Sequence, residues 1–200
     1  MIAGARDTQL LVSVFDSELG WMALVENRRG VLGLKFGQPS PLVALAAMGF
    51  EPAMLGDVRT TGPLVRRLQA FARGRYDDFL DVPLELGRQT PFQRRVVAAC
   101  RKIQPGRWRS YGELAAAAGA PRAARAVGSV MAANRIALLV PCHRVLRAGG
   151  RLGGYSLGSG LPLKQQLLDL ERSMRPAKKP SRIGAKPVAA GICGAIDTGG

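Results

Sequence analysis

The stretch that most constrains this chain is Leu139-Val140-Pro141-Cys142-His143-Arg144-Val145-Leu146. It sets a thiol beside an imidazole inside an apolar run. Leu138 to Val140 before the pair, and Val145 with Leu146 after it, predict a buried segment and not a surface loop. The fold has to be built around two reactive side chains. His143 is the only histidine in the sequence. A buried thiol is a poor nucleophile until its proton leaves, and an adjacent base or cation brings the pKa down from about 8.5 toward neutrality. His143 is within local reach as the base, and Arg144 is read as added positive charge. Free cysteine is more often inert packing. The lone histidine, with Pro141 before the pair and Arg144 after it, favours chemistry here.

Composition narrows the setting. The chain has 200 residues, 47% of them apolar, enough for one good-sized domain or two small ones. No apolar run approaches the roughly 18 residues of a membrane span, and the first residues carry no secretory pattern. Cys100, Cys142 and Cys193 offer neither a disulfide framework nor paired metal-ligand spacing. The expectation is a cytoplasmic protein without a metal. The net charge of +15 is unevenly spread. Residues 1–84 balance to zero, whereas residues 85–151 set thirteen Lys/Arg against Glu85 and Glu113, a net of +11. A basic block centred on the candidate nucleophile points to a polyanionic partner, most simply nucleic acid.

Taken in order, residues 9–15, Trp21 to Glu26 and Val31 to Phe36 read as strands, with turns at Asp16–Gly20 and Asn27–Gly30. Helices follow at Leu42 to Met48 and Pro63 to Arg73, then an irregular link over 76–87. This half reads as a scaffold domain, residues 1–86, with no chemical motif. The second half, 87–172, opens on a capping box at Thr90-Pro91-Phe92-Gln93, and its helix runs to about Ile103 with Cys100 on the core face. A second box, Ser110-Tyr111-Gly112-Glu113, starts a short helix to about Ala118. After the turn Gly119-Ala120-Pro121 a helix runs from about Arg122 to Ala133, completing the outline of a helix-turn-helix. That helix is unusually small-sided, with Ala123, Ala124, Ala126, Gly128, Ser129, Ala132 and Ala133, so it can approach another surface closely. Arg122 and Arg125 fall on neighbouring positions of one face. Asn134 is a natural terminator. A glycine-rich loop, 148–160, precedes a helix at 161–171, and 173–200 reads as a disordered basic tail.

These residues together resemble the O6-alkylguanine-DNA alkyltransferases, the methylated-DNA–protein-cysteine methyltransferases. The likeness covers roughly residues 88–171. It is carried by Pro141-Cys142-His143-Arg144-Val145, Tyr111-Gly112, Ala124-Arg125-Ala126-Val127-Gly128, Asn134, Gly154-Tyr155-Ser156 and Leu167-Leu168 before Glu171. The resemblance implies an α+β fold: a small N-terminal antiparallel-sheet (ribonuclease-H-like) domain, then a mostly helical C-terminal domain with a helix-turn-helix and an active-site cysteine.

It also implies a reaction. Cys142 takes an alkyl group from O6-alkylguanine, and from O4-alkylthymine, in a single self-inactivating turnover without a cofactor. His143 receives the thiol proton through a bridging water and Glu171 holds the imidazole. Tyr111 stabilises or protonates the departing guanine, and Asn134 braces the turn before the cysteine. Backbone groups of Cys142 and Val145 read the exocyclic amine, and Tyr155 and Ser156 close over the base. The partner is double-stranded DNA, entered through the minor groove by a monomer with the target base flipped out. Arg125 is the finger that fills the gap, and Arg122, Ala124, Ala126 and Arg135 contact the DNA.

Two features depart from the family pattern. Arg135 stands where the family usually has proline after the hinge asparagine, and the loop after Tyr155 is longer. Two alternatives stand beside this reading. One is a non-catalytic sensor of alkylated DNA, which leaves the Cys142-His143 pair unexplained. The other is a Cys-His hydrolase, which leaves the basic block unexplained.

Overall fold

The computed structural model describes residues 9–51, 58–155 and 157–174. Three strands with apolar inner positions form an antiparallel sheet in sequence order: β1 (Leu11–Phe15), β2 (Trp21–Asn27) and β3 (Gly30–Gln38). Both connecting turns fall where expected. Asn27 Oδ1 accepts from the amides of Arg29 and Gly30, which fixes the second. Pro41–Ala46 forms α1, capped by Ser40, and Pro63–Ala72 forms α2, with Leu64, Leu68 and Phe71 buried. The link over 76–87 is irregular, as expected. Arg101 fastens it by donating to the carbonyls of Phe79 and Val82.

The second half starts with α3 (Pro91–Arg101) and α4 (Tyr111–Ala117). Both capping boxes form. Thr90 Oγ1 accepts from Gln93 N while Gln93 Oε1 accepts from Thr90 N, and Ser110 and Glu113 repeat the exchange. Two-residue strands β4 (Arg109–Ser110) and β5 (Val145–Leu146) pair in parallel. The helix expected from Arg122 begins later. α5 is Ala124–Ala132, and Pro121 and Arg122 lie in the turn before it. Ala123, at the cap, has no side chain that can accept a backbone N–H, so nothing extends the helix back through Arg122. Arg122 and Arg125 are therefore not two positions of one helical face. α6 (Leu161–Ser173) is longer than expected, and Met174 beyond it is buried. Ser156, Cys193 and residues 175–200 of the expected tail lie outside the described residues.

The result is a mixed α and β fold with a small antiparallel sheet, as read from the sequence. No helix among the described residues is long and apolar enough to cross a membrane. One buried cluster joins Phe15, Leu24, Leu34 and Phe36 of the sheet to Leu68 and Phe71 of α2, Val96 and Cys100 of α3, Val127 of α5 and the run Ile136–Val140. Cys100 is a core residue, as its helical position predicts. β3 reaches the reactive segment directly: Leu34 N donates to Arg135 O and Ala137 N donates to Leu34 O. The sheet therefore braces the chain five residues before Cys142.

Candidate active site

Every residue from Ile136 to Leu146 is buried. Within this run the chain turns sharply twice. Leu139 N donates to Ala137 O across Leu138, whose φ is +64°, a left-handed conformation that a branched side chain adopts only under constraint. Cys142 N donates to Val140 O at 2.8 Å across Pro141, with φ −79° and ψ 67°, an inverse γ-turn. Proline suits that position because its ring holds φ near the required value and the turn needs no N–H from it. Cys142–Arg144 then makes one 3-10 turn.

Asn134 holds this arrangement together. Its Oδ1 accepts from Ile136 N, and its Nδ2 donates to Val140 O at 2.8 Å and to Cys142 Sγ at 3.3 Å. The contact to sulfur is one that the sequence did not reveal. Cys142 is 8% exposed. Burial pushes its pKa up, while the Asn134 donor and the charge of Lys164 pull it down.

Behind the cysteine lies a buried charged group. His143 Nε2 meets Glu171 Oε1 at 2.8 Å. Arg144 Nε and Nη2 donate to the same carboxylate, and Arg144 Nη1 donates to the Ile103 carbonyl. Gly106 N also donates to Glu171. Burial alone would raise the Glu171 pKa, but His143 and Arg144 outweigh it and hold it at about 2. Burial depresses the His143 pKa, against the opposing pull of Glu171, so the ring is neutral at pH 7. A neutral ring facing an ionised carboxylate carries its proton on Nε2, and Nδ1 has no hydrogen-bond partner among the described residues. Arg144 does not serve the thiol as the sequence reading had it. Its charge is neutralised by Glu171, two residues removed from sulfur by the 3-10 turn.

The cations that act on the thiol are Lys164 and, more weakly, Lys35, neither of which the sequence singles out. Lys164 is fully buried on α6, donates from Nζ to Val145 O at 2.8 Å, and lies 5.8 Å from the centre of the Tyr155 ring. A signal existed: Lys164 and Glu171 are seven residues apart, two turns of helix, on the face that also carries Leu167 and Leu168.

In front of Cys142 is a cavity of about 390 Å³. Tyr111, Asn134 and Tyr155 line it with Gly128, Met131 and Ala132 of α5, and with Gly154 and Leu157. The sequence had separated these residues by up to 46 positions, and the fold brings them together. Its volume is that of a small-ligand pocket. Burial raises the pKa of both tyrosines, keeping each hydroxyl a proton donor. Tyr111 is gripped on both edges: Gly128 approaches Cε1, and Gly153 packs so closely that an added Cβ would sit 3.0 Å from Cε2. Val145 is buried outside the cavity. Arg122, Arg125, Ala126 and Arg135 are exposed and Ala124 is half-buried.

Residues 91–173 match the family model described as 6-O-methylguanine DNA methyltransferase, DNA binding domain. A methylated-DNA–protein-cysteine methyltransferase of Mycolicibacterium paratuberculosis is 47% identical over 131 residues, 64% of this chain and 77% of that protein. The chain belongs to the methylated-DNA–protein-cysteine methyltransferase family. The family's solved structures agree with this. The Mycobacterium tuberculosis O6-methylguanine methyltransferase superposes with a TM-score of 0.64 at 36% identity, covering 85% of this chain and 97% of that one. The OGT of the same organism, in complex with DNA, gives a TM-score of 0.63 at 37% identity, covering 81% and 93%. The methyltransferase resemblance read from Pro141-Cys142-His143-Arg144-Val145 thus holds over both halves of the chain.

Proposed function

We propose that this chain repairs DNA by moving an alkyl group from O6-alkylguanine, and from O4-alkylthymine, onto Cys142. The observation that carries this reading is the position of Cys142 Sγ. It borders a base-sized cavity on one side, with Asn134 donating to it and a buried His143–Glu171–Arg144 group behind. Family membership supports the same chemistry.

In this account the Cys142 thiol gives its proton through a bridging water to His143 Nδ1, the ring nitrogen left with a free lone pair. Glu171 fixes the tautomer and stabilises the imidazolium. The thiolate, favoured by the Asn134 donor and Lys164, attacks the alkyl carbon in line with the carbon–oxygen bond. The S–C bond forms, the C–O6 bond breaks, and its electron pair stays on the guanine, which takes a proton from the Tyr111 hydroxyl. The product is a thioether, so each protein acts once. No cofactor enters, because sulfur is the acceptor. Backbone groups of Cys142 and Val145 face the exocyclic amine, and Tyr155 with Ser156 close over the base.

The target base inside duplex DNA has to be flipped out to reach the cavity. We read α4 and α5 as a helix-turn-helix whose second helix enters the minor groove. Arg125 is the finger in the stack, Ala124 and Ala126 allow close approach, and Arg122 and Arg135 take phosphates. What supports this is that the exposed side of α5 is nearly bare of large side chains while Gly128 and Ala132 line the cavity. The three-stranded sheet is read as the ribonuclease-H-like scaffold, and the protein as a cytoplasmic monomer. Cys142→Ala tests the function: repair of an alkylated duplex is lost while DNA binding is kept. A variant that keeps its full cellular protection against alkylation would instead be a sensor.

A further inference from the structure

The edge of β3 holds two other segments of the chain. Val31 N donates to Pro83 O at 3.0 Å and Glu85 N donates to Val31 O at 2.8 Å, which fastens the link over 76–87. Further along the strand, Leu34 makes the pair of bonds to Arg135 and Ala137 that braces the reactive segment. Residues of both attached segments line a second cavity, of about 200 Å³. Leu32, Leu86, Val97, Val130 and Ile136 give it apolar walls. Met131 and Asn134 line this cavity and the one in front of Cys142. Asn134 is therefore a partition between the two. Its Nδ2 donates to Cys142 Sγ on one side and to the carbonyl of Val140, a residue that lines the second cavity, on the other.

The polar groups of the second cavity come chiefly from the start of α3 and the chain before it. Gln93 Oε1 accepts from Thr90 N in the capping box, which fixes the amide and leaves Nε2 as a donor. Gln89 supplies the opposite function. Its Oε1 is buried and has no hydrogen-bond partner among the described residues, an unfavourable state for an amide acceptor. Arg88 and Arg135 line the cavity and are exposed, and among the described residues neither enters an ion pair. Glu85, the acid in the lining, is paired with Arg29 at 3.0 Å. The first turn of α3 carries no acidic residue, so its dipole adds to the positive field there.

An apolar slot of this size, below the usual range for small-ligand pockets, admits one planar ring system and leaves the rest of a ligand at the rim. Gln89 calls for an N–H, and Gln93 offers one to a lone pair. Adenine presents that combination on one edge, an exocyclic amine beside a ring nitrogen, and amide side chains read it there. The Arg88 guanidinium at the rim suits a phosphate. Neither the chemistry assigned to Cys142 nor the duplex contacts assigned to α5 use Arg88, Gln89 or Gln93. We propose that this cavity binds an adenine nucleotide, base inside and phosphate on Arg88, and that the bound nucleotide speeds alkyl transfer. Packed against the partition, it holds the Asn134 amide in the orientation that donates to Cys142 Sγ, so the two cavities are coupled through one side chain. Only this coupling rests on the reading of Cys142 as the alkyl acceptor.

Isothermal titration of the full chain with AMP reads the site without reference to alkylation. One AMP binds per protein, and Gln89→Leu and Arg88→Glu each weaken it about tenfold or more. Both variants react with free O6-benzylguanine at the unaltered rate when no nucleotide is present. AMP that saturates the unaltered protein raises its rate at least twofold, and the same concentration leaves Arg88→Glu unchanged. An AMP affinity unchanged in Arg88→Glu, an exposed position, would overturn the site, whatever Gln89→Leu does to folding. AMP that slows the reaction by competing with O6-benzylguanine would place it in the Cys142 cavity and overturn the proposal as well. Competition identifies the source of the nucleotide. Displacement of AMP by an unmodified A·T duplex and not by a G·C duplex assigns it to DNA, displacement by neither assigns it to free nucleotide, and equal displacement by both would overturn the adenine assignment. Failure of the unaltered protein to react with O6-benzylguanine would overturn the Cys142 reading instead, and the titration would still decide the site.

Discussion

Asn134 Nδ2 donates to Cys142 Sγ at 3.3 Å while the same amide spans the turn from Ile136 to Val140. One side chain therefore shapes the segment and favours the thiolate. Asn134→Asp keeps the acceptor for Ile136 N but replaces the donor with a carboxylate next to sulfur. Losing a hydrogen bond to a charged group costs about 1.5–3 kcal/mol. The expected result is a reaction with free O6-benzylguanine slower by roughly 10- to 100-fold at pH 7, measured by stopped-flow. A rate within twofold of the unaltered protein would remove Asn134 from the chemistry.

Glu171 and Arg144 are a buried pair whose partners complete each other. Glu171→Gln leaves Arg144 without a counter-charge in the core, and breaking such a pair costs about 3–5 kcal/mol. Urea denaturation of the variant reads this directly. The sign of the pH effect follows from the Glu171 pKa of about 2, below the ordinary carboxylate value of 4.5. Its contribution to stability is complete above pH 4.5 and is lost as pH falls from there through 2.

His143 gives a second window. Its folded pKa lies below 6.5 because burial disfavours the imidazolium. The neutral ring is thus retained at pH 7, and both stability and the general-base role decline as pH falls below 6.5. The alkylation rate is expected to be flat from pH 7 to 6.5 and to drop further down, an inflection that disappears in His143→Asn. An unchanged pH profile in that variant would show that another group takes the proton.

Lys164 is a fully buried ammonium whose one hydrogen-bond partner among the described residues is the Val145 carbonyl. Lys164→Met fills a similar volume without the desolvation penalty. It raises the unfolding midpoint while lowering the rate about tenfold, because the thiol loses a favourable charge that lowers its pKa. A parallel loss of stability and rate would make Lys164 a structural residue only.

How much of this was legible in the sequence depended on range. The Thr90–Gln93 and Ser110–Glu113 boxes, the Asn27 turn and the three strands are local patterns, and each forms where residues a few positions apart require it. Cys142 and His143 were legible because unusual residue types stood together in an apolar run. The role of Arg144 was misread. Adjacency in sequence suggested action on the thiol, whereas the 3-10 turn aims the guanidinium at Glu171 and Ile103, 27 and 41 residues away. Lys164 was missed for the complementary reason: a lysine in a helix is ordinarily on the solvated face, and only its seven-residue spacing from Glu171 marked it. The start of α5 slipped by two residues because no side chain fixes that end.

The central claim is that Cys142 itself accepts the alkyl group. Mass spectrometry of the intact protein and its peptides, after mixing with an oligonucleotide bearing one O6-methylguanine, tests it most directly. The account predicts one methyl per protein, on the peptide that contains Cys142, and restored guanine in the DNA. An unmodified protein still bound to an unrepaired oligonucleotide would contradict it.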